Sequence, residues 1–326
     1  MGDERAEASS EGGPRTWARA LLTHKQAADF VLGGLATVTA VLFTNPIEVV
    51  KTRLQLQGEL QQRVAKNKRT YRGVWHAFKT IISTEGPLAI QKGLFPAAAY
   101  QFCMNGMRLG SYSVFKQLLL ENHGSASKDS LFFLKNMLAG ATAGVLGAVA
   151  GSPFFLVKTR MQAQTEYCGR YVALTWGYKH RAFKSIVQAE GPRGLMRGAD
   201  AAALRVGVGS SVQLPLYDNA KSLILATGWL GNNIYAHVAA SLVSGVGLVV
   251  AMNPFDVVAT RLYNQKVEGG KGALYRGPFD CLWKTVKAEG VYGLYKGVFA
   301  HYLRTGPHTI LTFVFWEQYK KLASNL

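Results

Sequence analysis

Three arginines, Arg108, Arg205 and Arg304, stand well inside stretches whose other residues are largely apolar. A guanidinium in such surroundings presents a rigid fork of donors that fits a carboxylate or another oxyanion two bonds at a time. Charge at that depth is costly, so each such residue has either a structural partner or a substrate. Neither Arg205 nor Arg304 has an acidic residue beside it in sequence that would serve as a private counter-ion. Two such arginines brought to one depth would suit a small dianion. Nothing in the chain reads as reaction chemistry: there is no P-loop, no GxGxxG opening a helix after a strand, no GxSxG and no HExxH. Cys103, Cys168 and Cys281 show no CxxC or zinc spacing. No catalytic residue, metal or cofactor is therefore expected, and His308 reads as a packing residue.

The elements that must carry these arginines follow from a repeat. One phrase occurs three times, as Pro46-Ile47-Glu48-Val49-Val50-Lys51-Thr52-Arg53, Pro153-Phe154-Phe155-Leu156-Val157-Lys158-Thr159-Arg160 and Pro254-Phe255-Asp256-Val257-Val258-Ala259-Thr260-Arg261. Three copies about a hundred residues apart mean three structural repeats. Each copy ends an uncharged run (30–47, 136–157 and 222–255) long enough to span a bilayer, the last including a loop around 228–233. Small residues at helix-packing spacing, such as Gly140 with Gly144, let these spans approach closely. Returning spans are expected over 94–121, 199–225 and 298–322, each holding one of the three arginines. Between phrase and returning span lies a short amphipathic helix, with Trp75, Phe78 and Ile82 on one face of the first.

Charge sets the orientation. The formal charge is +18, yet only 17% of residues are charged and 48% are hydrophobic, which suits a membrane bundle and excludes a soluble nucleic-acid binder. The long segments 56–89, 163–195 and 264–293 hold sixteen lysines and arginines, while 122–130 and 226–236 hold only Lys128. All three long segments therefore face the inner side. Residues 1–24 mix acids with arginines around no apolar core and read as a disordered tail, followed by repeats at 25–123, 130–226 and 233–325.

The phrase has the form Pro-x-[Asp/Glu]-x-x-[Lys/Arg], followed by Glu85-Gly86, Glu190-Gly191 or Glu289-Gly290 and by the triplets Gln91-Lys92-Gly93, Met196-Arg197-Gly198 and Tyr295-Lys296-Gly297. This set resembles the mitochondrial carrier family over nearly all of residues 25–323. The resemblance implies an all-α membrane protein, in which three pseudosymmetric repeats form a six-helix bundle with short amphipathic helices on the matrix side. It also implies the inner mitochondrial membrane (the peroxisomal membrane is the alternative), a monomer, bound cardiolipin, and a central site exposed to each side in turn.

The family pairs acids and bases between neighbouring phrases, which sets Glu48 with Lys158 and Asp256 with Lys51 in a matrix-side gate. The third pair would be Phe155 with Ala259, so both charges of one pair are missing together. An outer gate falls at Lys116 with Asp218 and Lys221 with Glu317, leaving Lys320 opposite Ser113. Thirteen residues before Ser113, Asp218 and Glu317 stand Tyr100, Arg205 and Arg304, at the family's substrate-contact level. Gln101, Asn105, Arg108, Val206, Gln213 and Thr305 are expected beside them. Arg108 lies about two turns along its helix from Tyr100 and some 80° round it. The ensemble is most similar to the oxaloacetate/sulfate carrier branch, which implies transport of oxaloacetate, related dicarboxylates or sulfate by exchange or proton symport. An uncoupling-type proton leak and a non-transporting membrane adaptor are the alternatives.

Overall fold

The computed structural model describes residues 14–59, 71–120, 130–163, 179–226, 234–265, 267–268 and 271–324. Six long helices dominate: α1 (Pro14–Leu56), α3 (Leu94–Leu120), α4 (Ser130–Ala163), α6 (Ala199–Ala226), α7 (Ile234–Asn264) and α10 (Val298–Ser324). Four short ones join them: α2 (Val74–Glu85), α5 (Lys179–Glu190), α8 (Pro278–Glu289) and the single-turn α9 (Val291–Leu294). A two-residue strand pair, Val267–Glu268 with Lys271–Gly272, precedes α8. In hydrocarbon only a helix satisfies its own backbone, which is why uncharged, glycine-tolerant runs adopt this form. By apolarity alone α1, α4 and α7 qualify as membrane spans, over Val31–Leu56, Leu138–Ala163 and Ala239–Asn264. The long helices close a ring in the order α1, α3, α4, α6, α7, α10, with α10 returning to α1.

Two expectations change. The first helix begins at Pro14, inside the segment expected to be a tail, because a helix once nucleated extends cheaply through residues such as Ala18, Ala20, Leu21 and Leu22. As the uncharged runs imply, α1, α4 and α7 continue through Pro46, Pro153 and Pro254, and they extend on to Leu56, Ala163 and Asn264. A proline removes the bond to the carbonyl four residues back. For Pro46 that carbonyl is Leu42, and Gln91 Nε2 donates to it at 3.1 Å. The amphipathic face of α2 is rotated too. Ala77 and Ile81 are buried in a cluster with Val49 and Val50, while Trp75 is exposed at the level where interfacial aromatics sit.

Each phrase is tied to its own loop by an ion triad on the side carrying the long basic connections, hereafter the loop side. Arg53 Nη1 lies 2.6 Å from Glu85 Oε1, and Lys92 Nζ 2.5 Å from Glu85 Oε2. Arg160 and Arg197 converge on Glu190 at 2.6 and 3.6 Å. Arg261 and Lys296 converge on Glu289 at 2.7 and 2.5 Å. The following glycines join the repeats: Gly93, Gly198 and Gly297 all have φ of 74–79° and open the returning helices. A Cβ at Gly93 would stand 3.1 Å from the Lys158 carbonyl, one at Gly198 3.2 Å from Tyr263, and one at Gly297 3.4 Å from the Lys51 carbonyl. Each returning helix thus starts against the next repeat's phrase, and the order closes on itself. Glycine is required there by both backbone and space.

Candidate functional site

At the loop-side end of the ring the charges of the three phrases meet. Lys158 Nζ lies 2.6 Å from Glu48 Oε1, and Lys51 Nζ 2.6 Å from Asp256 Oδ2, all four groups buried. Gln55 donates to Asp256 Oδ2 at 2.7 Å and accepts from Thr260 at 3.0 Å, clamping the second pair. Gln162 accepts from Thr52 at 3.0 Å and donates to Asn45 at 3.1 Å. Gln55, Gln162 and Tyr263 each stand two residues past the arginine of their phrase. Extending the repeat by two positions would have exposed them in sequence. At the third seam Phe155 and Ala259 are buried in one apolar cluster, with Phe155 packed between the rings of Tyr100 and Tyr263 at 4.9 and 5.0 Å.

One turn of side chain away sit Arg205 on α6 and Arg304 on α10, and they are not free of counter-ions. Arg205 Nη1 lies 3.8 Å from Asp256 Oδ1, and Arg304 Nη2 lies 3.5 Å from Glu48 Oε1. Neither acid is a sequence neighbour of its arginine, and neither is private to it. The acids come from α7 and α1, so only the closed ring brings them within reach. Each carboxylate is shared between a close lysine and a more distant arginine. Arg205 Nη2 also donates to Tyr100 Oη at 2.8 Å. Arg205 and Arg304 each keep a buried Nε donor without an acceptor. Arg160 and Arg261 each keep one orphan donor as well, but both are neutralised by a glutamate within 2.7 Å.

The other expected site residues divide. Gln101 is buried, and its Nε2 lies 2.8 Å from His308 Nε2, whose Nδ1 lies 3.3 Å from Thr44 Oγ1. His308 thereby joins α1, α3 and α10 at the edge of the site, more than the packing role read from sequence. His301, not singled out in sequence, lies 4.0 Å from Asp256 and 3.2 Å from Asn253. Val206 packs towards α4, where a Cβ at Gly144 would meet it at 3.0 Å, so it faces a helix and not the arginines. Thr305 donates back to the His301 carbonyl at 2.8 Å. Asn105, Arg108 and Gln213 make no hydrogen bond to Arg205, Arg304 or Tyr100 among the described residues, and Arg108 and Gln213 are exposed. A groove of about 590 Å³ between α4 and α6 is lined by Val145, Ala203, Leu204, Gly207, Val208, Ser211 and Val212, and offers no cation to an anion.

The opposite end is described only in part. Asp218 and Glu317 are exposed, and among the described residues no ion pair joins Lys221 to Glu317. Lys320 Nζ sits 3.7 Å over the Trp316 ring. Lys116 and Ser113 lie outside the residues whose side chains are described. The ion pairs described between repeats thus lie at the loop side.

A ring of six long helices built from three repeats, with ion pairs across one end and cations behind them, defines a membrane carrier. The comparisons agree. A family model described as "Mitochondrial carrier protein" matches residues 23–123, 129–227 and 231–325. The chain is 50% identical to "Mitochondrial substrate carrier family protein ucpA" of Dictyostelium discoideum, covering 92% of this chain and 95% of the relative. It is 44% identical to "Mitochondrial oxaloacetate transport protein" of Saccharomyces cerevisiae, covering 91% and 90%. It is also 44% identical to "Mitochondrial citrate transporter E" of Aspergillus niger, covering 91% and 94%. The chain belongs to the mitochondrial carrier family. It is a multi-pass transporter of the inner mitochondrial membrane and not an enzyme.

Proposed function

We propose that the chain carries small dianions across the inner mitochondrial membrane, oxaloacetate foremost, with related dicarboxylates and sulfate, through a central site at Arg205 and Arg304. The observation that carries this reading is the shared carboxylate: each arginine leans on a gate acid, at 3.8 and 3.5 Å, that already has a lysine at 2.6 Å. A dianion with two oxyanion ends replaces both distant acids as counter-ion. Glu48 and Asp256 then each lose one of two cations. The matrix-side gate is weakened by the substrate's arrival, as alternating access requires: a ligand shifts an equilibrium only through its differential interaction with the two states. Tyr100 and Gln101 supply hydrogen bonds on α3. A tricarboxylate would call for a third cation at this depth, and α3 offers a tyrosine there. The relative named for oxaloacetate supports the choice; the one named for citrate makes citrate the necessary comparison.

The test is uptake of labelled oxaloacetate, malonate, sulfate and citrate into liposomes holding the purified protein. Oxaloacetate uptake is expected to exceed citrate uptake. Arg205→Ala and Arg304→Ala are each expected to abolish it while the thermal unfolding transition persists. Near-normal transport by either variant would refute the site. Silence toward every dianion alongside fatty-acid-dependent proton flux would favour an uncoupling role. Preloaded and empty liposomes separate exchange from net proton-coupled uptake.

A further inference from the structure

Phe155 occupies the acid position of the second phrase, yet its ring is not simply apolar filling. Arg205 Cζ lies 5.1 Å from the Phe155 centroid and Lys158 Nζ also 5.1 Å, both within cation–π range. Lys158 lies 5.4 Å from the Tyr100 ring as well. Phe155 is 7% exposed, so these contacts are largely withdrawn from water, where the attraction between a ring quadrupole and a cation is strongest. An aspartate at this position would stand beside the same guanidinium and neutralise it. It would then be a built-in competitor for the anion that Arg205 is to receive. A ring attracts the cation without cancelling its charge.

We infer that Phe155 is a positioning residue for the substrate: its ring holds Arg205, jointly with the Tyr100 hydroxyl, in the receiving orientation while leaving the guanidinium available. This rests on the reading of Arg205 as a substrate contact. It gives a physical reason why one seam lacks both charges. Ala259 is buried in the same cluster and leaves room for the ring.

The experiment replaces Phe155 in the full-length protein with para-fluoro-, difluoro- and trifluorophenylalanine, which keep its shape and drain its quadrupole stepwise. KM for oxaloacetate is measured in liposomes. KM is expected to rise with each fluorine, reaching about three- to thirtyfold for the trifluoro variant, with kcat little changed. Phe155→Tyr should stay near wild type, and Phe155→Leu should match the trifluoro variant, provided its unfolding transition is intact. A flat KM across the series overturns the inference. So does a series in which thermal stability falls and KM does not, since that assigns the ring to Lys158 alone. A flat series with Arg205→Ala still inactive removes this inference and leaves the site standing. Transport by Arg205→Ala removes the site itself.

Discussion

Arg205 is held by three contacts of different strength: a hydrogen bond to Tyr100 at 2.8 Å, the Phe155 ring at 5.1 Å, and Asp256 at 3.8 Å. The first is the strongest, because a neutral hydroxyl accepting from a guanidinium makes a charge-assisted bond without removing the charge. Tyr100→Phe should therefore keep the fold and the ring packing and lose orientation alone. A hydrogen bond to a charged group contributes about 1.5–3 kcal/mol, so KM for oxaloacetate should rise about tenfold or more with kcat less affected. Unchanged KM would show that Arg205 needs no such support. Tyr100 was placed at contact level by counting from the outer end of α3. That its hydroxyl would point at Arg205 was not legible, because a rotamer and a helix rotation decide it.

The short helices matter through the triads they deliver. Glu85, at the end of α2, is nearly enclosed between Arg53 and Lys92, whereas Asp280 and Lys284 on α8 form an exposed i,i+4 pair at 2.8 Å. Breaking a buried pair strands a charge and costs about 3–5 kcal/mol, while an exposed pair contributes about 0–1 kcal/mol. Glu85→Gln should thus lower the thermal midpoint in detergent markedly, and Asp280→Asn should leave it nearly unchanged. Burial alone would raise the Glu85 carboxyl, but Arg53 and Lys92 hold it below the ordinary carboxylate range. A depressed folded value stabilises the fold above the unfolded value of about 4.3 and is lost as pH falls below it. The midpoint should therefore drop on acidification below about pH 4, and less steeply in Glu85→Gln. Equal slopes would place the acid sensitivity elsewhere. Burial explains the Cys281 thiol as well, pushed up to about 12 and so unreactive, as expected for a structural cysteine.

Over the whole molecule, the ion pairs described between repeats lie at the loop side. Two buried ion pairs, a glutamine clamp and an aromatic seam join the three repeats at the loop side, while Lys221 and Glu317 stand apart at the other. Stability measured on this state should depend on the first set and ignore the second. Lys51→Gln leaves Asp256 only the more distant Arg205 and the Gln55 bond, and should lower stability by up to about 3 kcal/mol, shifting the population toward loop-side opening. Glu317→Gln should leave the thermal midpoint unchanged, since among the described residues no ion pair joins it to Lys221, and should alter turnover through the outer gate that we propose for the opposite state. A comparable loss of stability in both variants would mean that both ends are paired at once.

Much of this architecture was legible because the repeat converts sequence offsets into positions on a ring. Glu48 with Lys158 and Asp256 with Lys51 are the pairs that the family resemblance implied once the repeats were aligned, and the structure has both at 2.6 Å. The spans followed from uncharged runs, since hydrocarbon tolerates no unsatisfied backbone. The first helix begins at Pro14, inside the segment read as a tail. Local composition does not reveal that Gln91, forty-nine residues away, supplies the donor to the Leu42 carbonyl. Sequence by itself determined the three repeats and the long spans that they carry, with Arg205 and Arg304 at equivalent positions of the second and third. Only the tertiary structure decided what those arginines touch: Asp256 from α7 and the ring of Phe155 from α4 for Arg205, and Glu48 from α1 for Arg304. Those contacts depend on distances of a few ångströms between side chains of different helices, and such distances are set by helix tilt and rotamer, which no pattern of residue types encodes locally.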